Sequence, residues 1–225
     1  AEIYHTLEME GMEAGYQAIV GTGSNACILH YVENTAQVKD GDLVLIDAGG
    51  EHKGYNADIT RCFPANGKFS PAQKAIYEVV LAAQLAAIDE LKVGNPSSRP
   101  HEVATRKLTE GMVALGLLKG DVDTLIKEEQ YKKYFMHGTG HWLGMDVHDV
   151  GRYKVSGEAR PFAPGIIMTV EPGLYFQEDD LLVPETNNNN NVFQVIAMNP
   201  QPKLVTISMI GNDLRNVDIT GVPSQ

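Results

Sequence analysis

The local patterns of the chain are compatible with an α+β domain. Apolar strands bounded by turns form hairpin signals, and a central block carries helical apolar spacing with explicit start and stop signals. The 225 residues, 43% hydrophobic, suffice for one substantial core or two small ones. These features are compatible with helices packed on an antiparallel sheet but do not fix a topology.

The elements follow in order. Residues 1–16 read as the end of a helix, with Glu2, Glu8 and Glu10 spaced among apolar positions. "AIVGTGSNACILHYVEN" places a glycine-rich turn at Gly21–Gly23 before an apolar run ending at His30. Asp40-Gly41 signals a turn before a strand at Leu43–Asp47, and a second strand is expected at about 56–63. Asn66-Gly67 marks the next turn. Ser70 is a good N-cap, Pro71 suits the first helical position, and Gln73 completes a capping box. That helix is expected to run to the Gly94-Asn95-Pro96 stop, followed by helices at 101–118 and 121–134. Pro164-Gly165 turns into a strand, "IIMTVEP". Beyond Glu185 come five asparagines, Asn187 to Asn191, with no apolar face to bury. "VFQVIAM" and "KLVTISMIG" after them read as short strands.

Composition excludes some classes of function. Net charge is −11 with no basic stripe, which argues against a nucleic-acid partner. No stretch is long and apolar enough to span a membrane as a helix, and no signal peptide opens the chain. The two cysteines, Cys27 and Cys62, lack a metal-binding spacing and are expected as reduced thiols in a cytoplasmic setting.

The chemistry gathers on carboxylates and histidines. In "LVLID" the two-residue period puts Asp47 on the face of Leu43 and Leu45, where an ionised carboxylate is costly unless paired or metal-bound. Asp58 sits in "NADIT" and Glu171 ends the apolar "TVEP". Each alone reads equally as a turn residue. His137, His141 and His148 fall within twelve positions. "HGTGH" lacks the glutamate and helix-forming residues of a helical H-E-x-x-H zinc motif, so its two histidines need not bind one ion. Carboxylates with imidazoles suit a pair of divalent ions, which bridging carboxylates hold roughly 3.5 Å apart. Oxygen-rich sites favour Mn²⁺, and imidazole admits Co²⁺ or Zn²⁺.

Taken in order, "IDAG", "GYNADITRCFP", "FMHGTGHWLGMDVHDVG" and "TVEPGLY" resemble the M24 metallopeptidases of the pita-bread fold. "AIVGTGSNACILHY", "FPANGKFS" and "HWLGMDVHDVG" are similar to the Xaa-Pro aminopeptidase branch. The resemblance covers residues 1–185, expected as the catalytic domain, with 186–225 as an atypical tail in place of the final strands. It implies an α+β fold: a curved antiparallel sheet with helices on its outer face and the site in its concavity. It implies two divalent ions, most often Mn²⁺. Asp47 matches a ligand of one ion, Asp58 the bridging aspartate, and His141 and Glu171 ligands of the other. His30 matches a histidine lining the substrate pocket, and His137 and His148 match histidines that contact substrate and steady the tetrahedral intermediate. Glu171 also matches the proton acceptor for a water held between the ions, which attacks the carbonyl of the bond before proline. The implied partner is a proline-containing peptide, and a homo-oligomer is compatible with the branch.

Two departures stand against that pattern. The family's second bridging glutamate, in an "R-I-E-D"-like strand after "VPE", is expected near 194–196. Gln194 stands there, and residues 186–225 contain neither glutamate nor histidine. Removing one negative charge from between two dications leaves their repulsion less compensated, so the second ion is expected to bind more weakly. The branch's additional N-terminal domain is also not represented in these residues. A prolidase-like Xaa-Pro dipeptidase and a catalytically impaired pita-bread binding module are the alternative readings.

Overall fold

The computed structural model describes residues 1–176 together with short strands at Ile196–Met198 and Val205–Thr206. Gln194, where the family's second bridging acid is expected, lies outside the described residues.

The sheet that positions the site is built from β2 (Ile19–Thr22), β3 (Leu43–Asp47) and β6 (Thr60–Pro64), in the order β2-β3-β6. Both pairings are antiparallel, with Ile19 and Thr60 opposite Asp47. The β3 bounds are those expected from its apolar run. The second expected strand divides into β5 (Tyr55–Asn56) and β6, so Asp58 lies in the connection between them. A second sheet pairs β1 (Glu13–Ala14), β4 (Gly50–His52) and β5 in the order β1-β4-β5. A small hairpin, β7 (Lys154–Val155) with β8 (Glu158–Ala159), follows the histidine-rich segment. The strands β9 (Ile167–Met168) and β10 (Gly173–Tyr175) flank Glu171. They pair with β12 (Val205–Thr206) and β11 (Ile196–Met198) respectively.

The expected initial helix is shorter than its sequence suggests. Helix α1 covers Glu2–Met9, and Gly11 then takes φ +69°, a left-handed conformation that suits glycine. Glu13 and Ala14 pair with β4, and the Gly15 amide donates to the Gly49 carbonyl at 2.9 Å. Tyr16 therefore leaves an extended segment rather than a helix.

Helix α2 (Pro71–Ile88) opens with the expected capping box: Ser70 accepts from the Gln73 amide, and the Gln73 side chain accepts from the Ser70 amide. It ends six residues before Gly94. Asn95 Nδ2 donates to the Glu90 carbonyl at 2.9 Å and to its carboxylate at 3.1 Å, offering the backbone an alternative to further helix. Helix α3 (Arg99–Ala114) starts two residues earlier than expected, with Pro100 in its first turn. The expected third helix is broken: α4 covers Val122–Lys127, Glu129 adopts φ +57°, and a 3₁₀ turn spans Gln130–Lys133.

One core joins Leu43 of β3, Ile76 and Val80 of α2, Leu108 and Met112 of α3, Phe135 and Leu174. A second cluster holds Ile19, Leu45, Cys62 and Tyr175. Two residues beyond Leu45, β3 delivers Asp47 to the edge of that cluster.

Helices α2 and α3 approach closely at Gly111, where an added Cβ would lie 2.3 Å from Val79 Cγ1. Helix propensity favours alanine there by about 1 kcal/mol. Overpacking by this overlap costs more, typically ~1–3 kcal/mol. Gly111→Ala is therefore expected to lower stability in urea unfolding, and adding Val79→Ala is expected to recover part of the loss.

Candidate metal centre

Four segments converge on one cleft. The end of β3 brings Asp47, the β5–β6 connection brings Asp58, and two segments that lie side by side bring His141 and Glu171. Those two segments form a short ladder: the Thr169 amide donates to the His141 carbonyl at 2.9 Å, and the Glu171 amide donates to the Thr139 carbonyl at 2.7 Å. Gly140 permits this approach, since a Cβ there would lie 2.0 Å from the Thr169 carbonyl oxygen. That is why the "GTG" between the histidines is not helical.

His141 Nε2 lies 3.1 Å from Asp58 Oδ2 and 3.2 Å from Glu171 Oε1. Its other ring nitrogen, Nδ1, is 2.9 Å from the Trp142 carbonyl oxygen. A carbonyl only accepts, so Nδ1 carries a proton and Nε2 faces the carboxylates. One donor atom each from Asp58, His141 and Glu171 lie within 4.8 Å of one another. Two carboxylate oxygens with one imidazole nitrogen at this spacing fit a single divalent ion.

Asp47 stands beside this triad. Tyr16 Oη donates to Asp47 Oδ1 and lies 3.3 Å from Asp58 Oδ1. Asp58 thus turns Oδ2 toward His141 and Oδ1 toward Tyr16 and Asp47. Thr169 Oγ1 donates to Glu171 Oε1 at 2.6 Å and accepts from the His141 amide at 3.0 Å. A single hydroxyl thereby sets the orientation of two candidate ligands.

The remaining histidines form the rim. His137 Nε2 is 2.8 Å from Tyr175 Oη, while its Nδ1 is 2.7 Å from the Gly138 carbonyl oxygen. With Nδ1 donating to that carbonyl, a neutral His137 accepts the Tyr175 proton at Nε2. The ring of His148 stands edge-on to His141 at 4.3 Å and 6.2 Å from His30. Asp47, Asp58, His141, Glu171, His30, His137 and His148 all line one cleft of about 370 Å³, together with Tyr175.

The charges in the cleft are out of balance. Burial pushes the Asp47 carboxyl up to about 6; the Tyr16 hydrogen bond opposes this, and the neighbouring charges of Asp58 and Glu171 add to it. Burial alone would lower His141, but hydrogen bonds to Asp58, Glu171 and the Trp142 carbonyl raise it to about 10. Burial and the adjacent carboxylates hold the Tyr16 phenol protonated far above its usual range. Without a metal, a proton on His141 Nε2 takes the position of a cation.

Sequence reasoning missed Tyr16, Thr169 and Tyr175. Tyr175 stands in "EPGLY", within reach of a motif, whereas nothing in "AGYQA" distinguishes Tyr16 from a core aromatic.

A family description, metallopeptidase family M24, matches residues 1–198. The chain belongs to this family. The M24 match extends past Glu185 into the asparagine-rich segment and β11. Among curated relatives, the Xaa-Pro aminopeptidase of Haemophilus influenzae is 56% identical over 164 residues, covering 73% of this chain and 38% of the relative. That of Escherichia coli is 44% identical over 212 residues, covering 87% of this chain and 48% of the relative. The chain thus spans less than half the length of these relatives. The structure of Pseudomonas aeruginosa aminopeptidase PepP matches with a TM-score of 0.81 at 52% identity, covering 88% of this chain and 44% of that one. Proline aminopeptidase P II from Yersinia pestis matches with a TM-score of 0.80 at 46% identity, covering 88% of this chain and 44% of that one. The fold is the α+β pita-bread fold of aminopeptidase P. Among the described residues, no helix is long and apolar enough to cross a membrane.

The charge imbalance yields a pH prediction. The folded Asp47 pKa of about 6 exceeds the ordinary 3.8. In metal-free protein the folded state therefore holds a proton that the unfolded state has released. Asp47 costs stability progressively as pH rises through that window, and the cost persists above it. Asp47→Asn removes the cost, on the order of 3 kcal/mol at pH 7. Urea unfolding in chelator should show little difference between the two chains at pH 4 and a more stable Asn variant at pH 7.

Proposed function

We propose that this M24 chain carries the catalytic centre of a metal-dependent aminopeptidase that releases an N-terminal residue preceding proline. The observation that carries the hydrolytic part is the division of the Asp58 oxygens. Oδ2 belongs to the His141–Glu171 triad, and Oδ1 faces Asp47 across the Tyr16 hydroxyl. A carboxylate used on both sides is what a bridging ligand requires, so Asp58 is proposed to serve two ions. Asp47 completes one site, and His141 with Glu171 complete the other. The preference for proline rests on the relatives, which are Xaa-Pro aminopeptidases. Mn²⁺ is the proposed metal, with Co²⁺ or Zn²⁺ compatible with the single imidazole. The catalytic residues all fall within the proposed domain 1–185, and a cytoplasmic setting belongs to the same reading.

The bound ions supply Lewis acidity and lower the pKa of a coordinated water toward neutrality. The chain's own groups do the rest. Thr169 donates to Glu171 Oε1, so the other carboxylate oxygen would accept a proton from the attacking water. His137, oriented by Tyr175 and the Gly138 carbonyl, and His148 stand at the rim to hydrogen-bond the scissile carbonyl as its charge develops. His30, whose ring lies 6.2 Å from that of His148, lines the same cleft, where it would contact the bound peptide.

The test is a Mn²⁺ titration of the full chain, read together with hydrolysis of an Xaa-Pro-Xaa tripeptide, the matching Xaa-Pro dipeptide and an Xaa-Ala-Xaa control. Two bound ions and turnover of the tripeptide alone are expected. Preferential turnover of the dipeptide would shift the reading to a prolidase-like enzyme. One ion or none, without turnover, would make the chain an impaired member of M24. Asp58→Asn is expected to lose metal retention and to lower kcat/KM by at least about a hundredfold, since a neutral amide cannot bridge two ions.

A further inference from the structure

His101 lies outside the cleft and touches none of the candidate ligands. It sits at the start of α3 and is half-buried. Its Nδ1 is 2.9 Å from Thr139 Oγ1, with Thr139 itself buried at 3% exposure. Its ring also packs on Phe135 at 5.6 Å, and Phe135 in turn stands edge-on to His137 at 5.0 Å. One imidazole thus grips the 135–141 segment at two points.

That segment needs an outside grip. Two of the three residues between His137 and His141 are glycines, which restrain the backbone least. Thr139, between them, is fixed on both sides. Its hydroxyl meets His101, and its carbonyl accepts the Glu171 amide at 2.7 Å. His141 follows two residues later and its amide donates to Thr169 Oγ1, the hydroxyl that also binds Glu171. A displacement of Thr139 therefore reaches a candidate ligand on each of the two segments.

We infer that His101 is a positioning residue, which anchors Thr139 to α3 and so fixes the relative placement of His141 and Glu171 before any metal arrives. The metal consequence rests on the metallopeptidase reading above; the backbone consequence does not. Burial and the nearby His137 lower the His101 pKa, Glu102 opposes this, and Lys132 adds to it, which keeps the ring neutral at pH 7. A neutral ring accepts from or donates to the Thr139 hydroxyl equally well.

The test compares the parent chain with His101→Leu, His101→Asn and Thr139→Val. Leucine removes the polar atom, asparagine retains one near the position of Nδ1, and valine removes the hydroxyl at constant shape. In metal-free protein, amide hydrogen exchange of Glu171 is expected to quicken about tenfold in His101→Leu and Thr139→Val, with α2 amides unchanged and the Asn variant close to the parent. The Leu–Val double variant should be no faster than either single one. The apparent Mn²⁺ affinity, by calorimetry, should fall about tenfold in the same two variants. Unchanged Glu171 exchange in both variants would overturn the inference whatever the metal result. A parent chain that binds no Mn²⁺ would instead overturn the metallopeptidase reading and leave the exchange result to decide on His101.

Discussion

Asp47, Asp58 and Glu171 converge in a half-buried cleft where three negative charges repel one another and water screens them poorly. That repulsion is the constraint on which the rest of the arrangement depends. The metal-free protein meets it with protons, one that the Tyr16 hydroxyl donates to Asp47 and one on His141 Nε2. Both are positions that a cation satisfies better, because a divalent charge sits among the oxygens rather than beside them. The site is thus electrostatically incomplete as a purely protein structure.

Holding such groups together requires a scaffold that does not yield. The antiparallel register of β3 and β6 sets Asp47 opposite Thr60, two residues from Asp58. The short ladder between 139–141 and 169–171 does the same for His141 and Glu171. Around them a ring of neutral groups removes the remaining rotational freedom. Tyr16 spans the two aspartates, Thr169 orients Glu171, the Trp142 carbonyl orients His141, and Tyr175 orients His137. Partners of this kind make a ligand set pre-formed rather than assembled by the metal.

Much of this was legible in the sequence, and the losses have physical causes. The strand carrying Asp47 and the capping box of α2 were readable because both are local patterns, set by neighbours a few residues away. The seven site residues were readable through motif order, and the structure brings all of them to one cleft. The ends of helices were less legible. Asn95 folding back on Glu90 and Glu129 in a left-handed conformation shorten helices whose apolar spacing continues. The largest miss was the first segment. Read as helix, Tyr16 would have been one more apolar position; the turn at Gly11 and the pairing of 13–14 with β4 are tertiary choices, and they alone bring its hydroxyl to Asp47. His101 and Thr139 were equally silent, because their partnership spans 38 residues.

Asp58 is proposed to divide its two oxygens between two cation positions, the triad with His141 and Glu171 being the more complete. Anomalous diffraction from crystals of the chain grown at graded Mn²⁺ concentrations tests this most directly. A first peak bounded by Asp58, His141 and Glu171 is expected, followed at higher concentration by a weaker one on the Asp47 side of Asp58. A first peak away from that triad, or two peaks neither of which contacts Asp58, would contradict it.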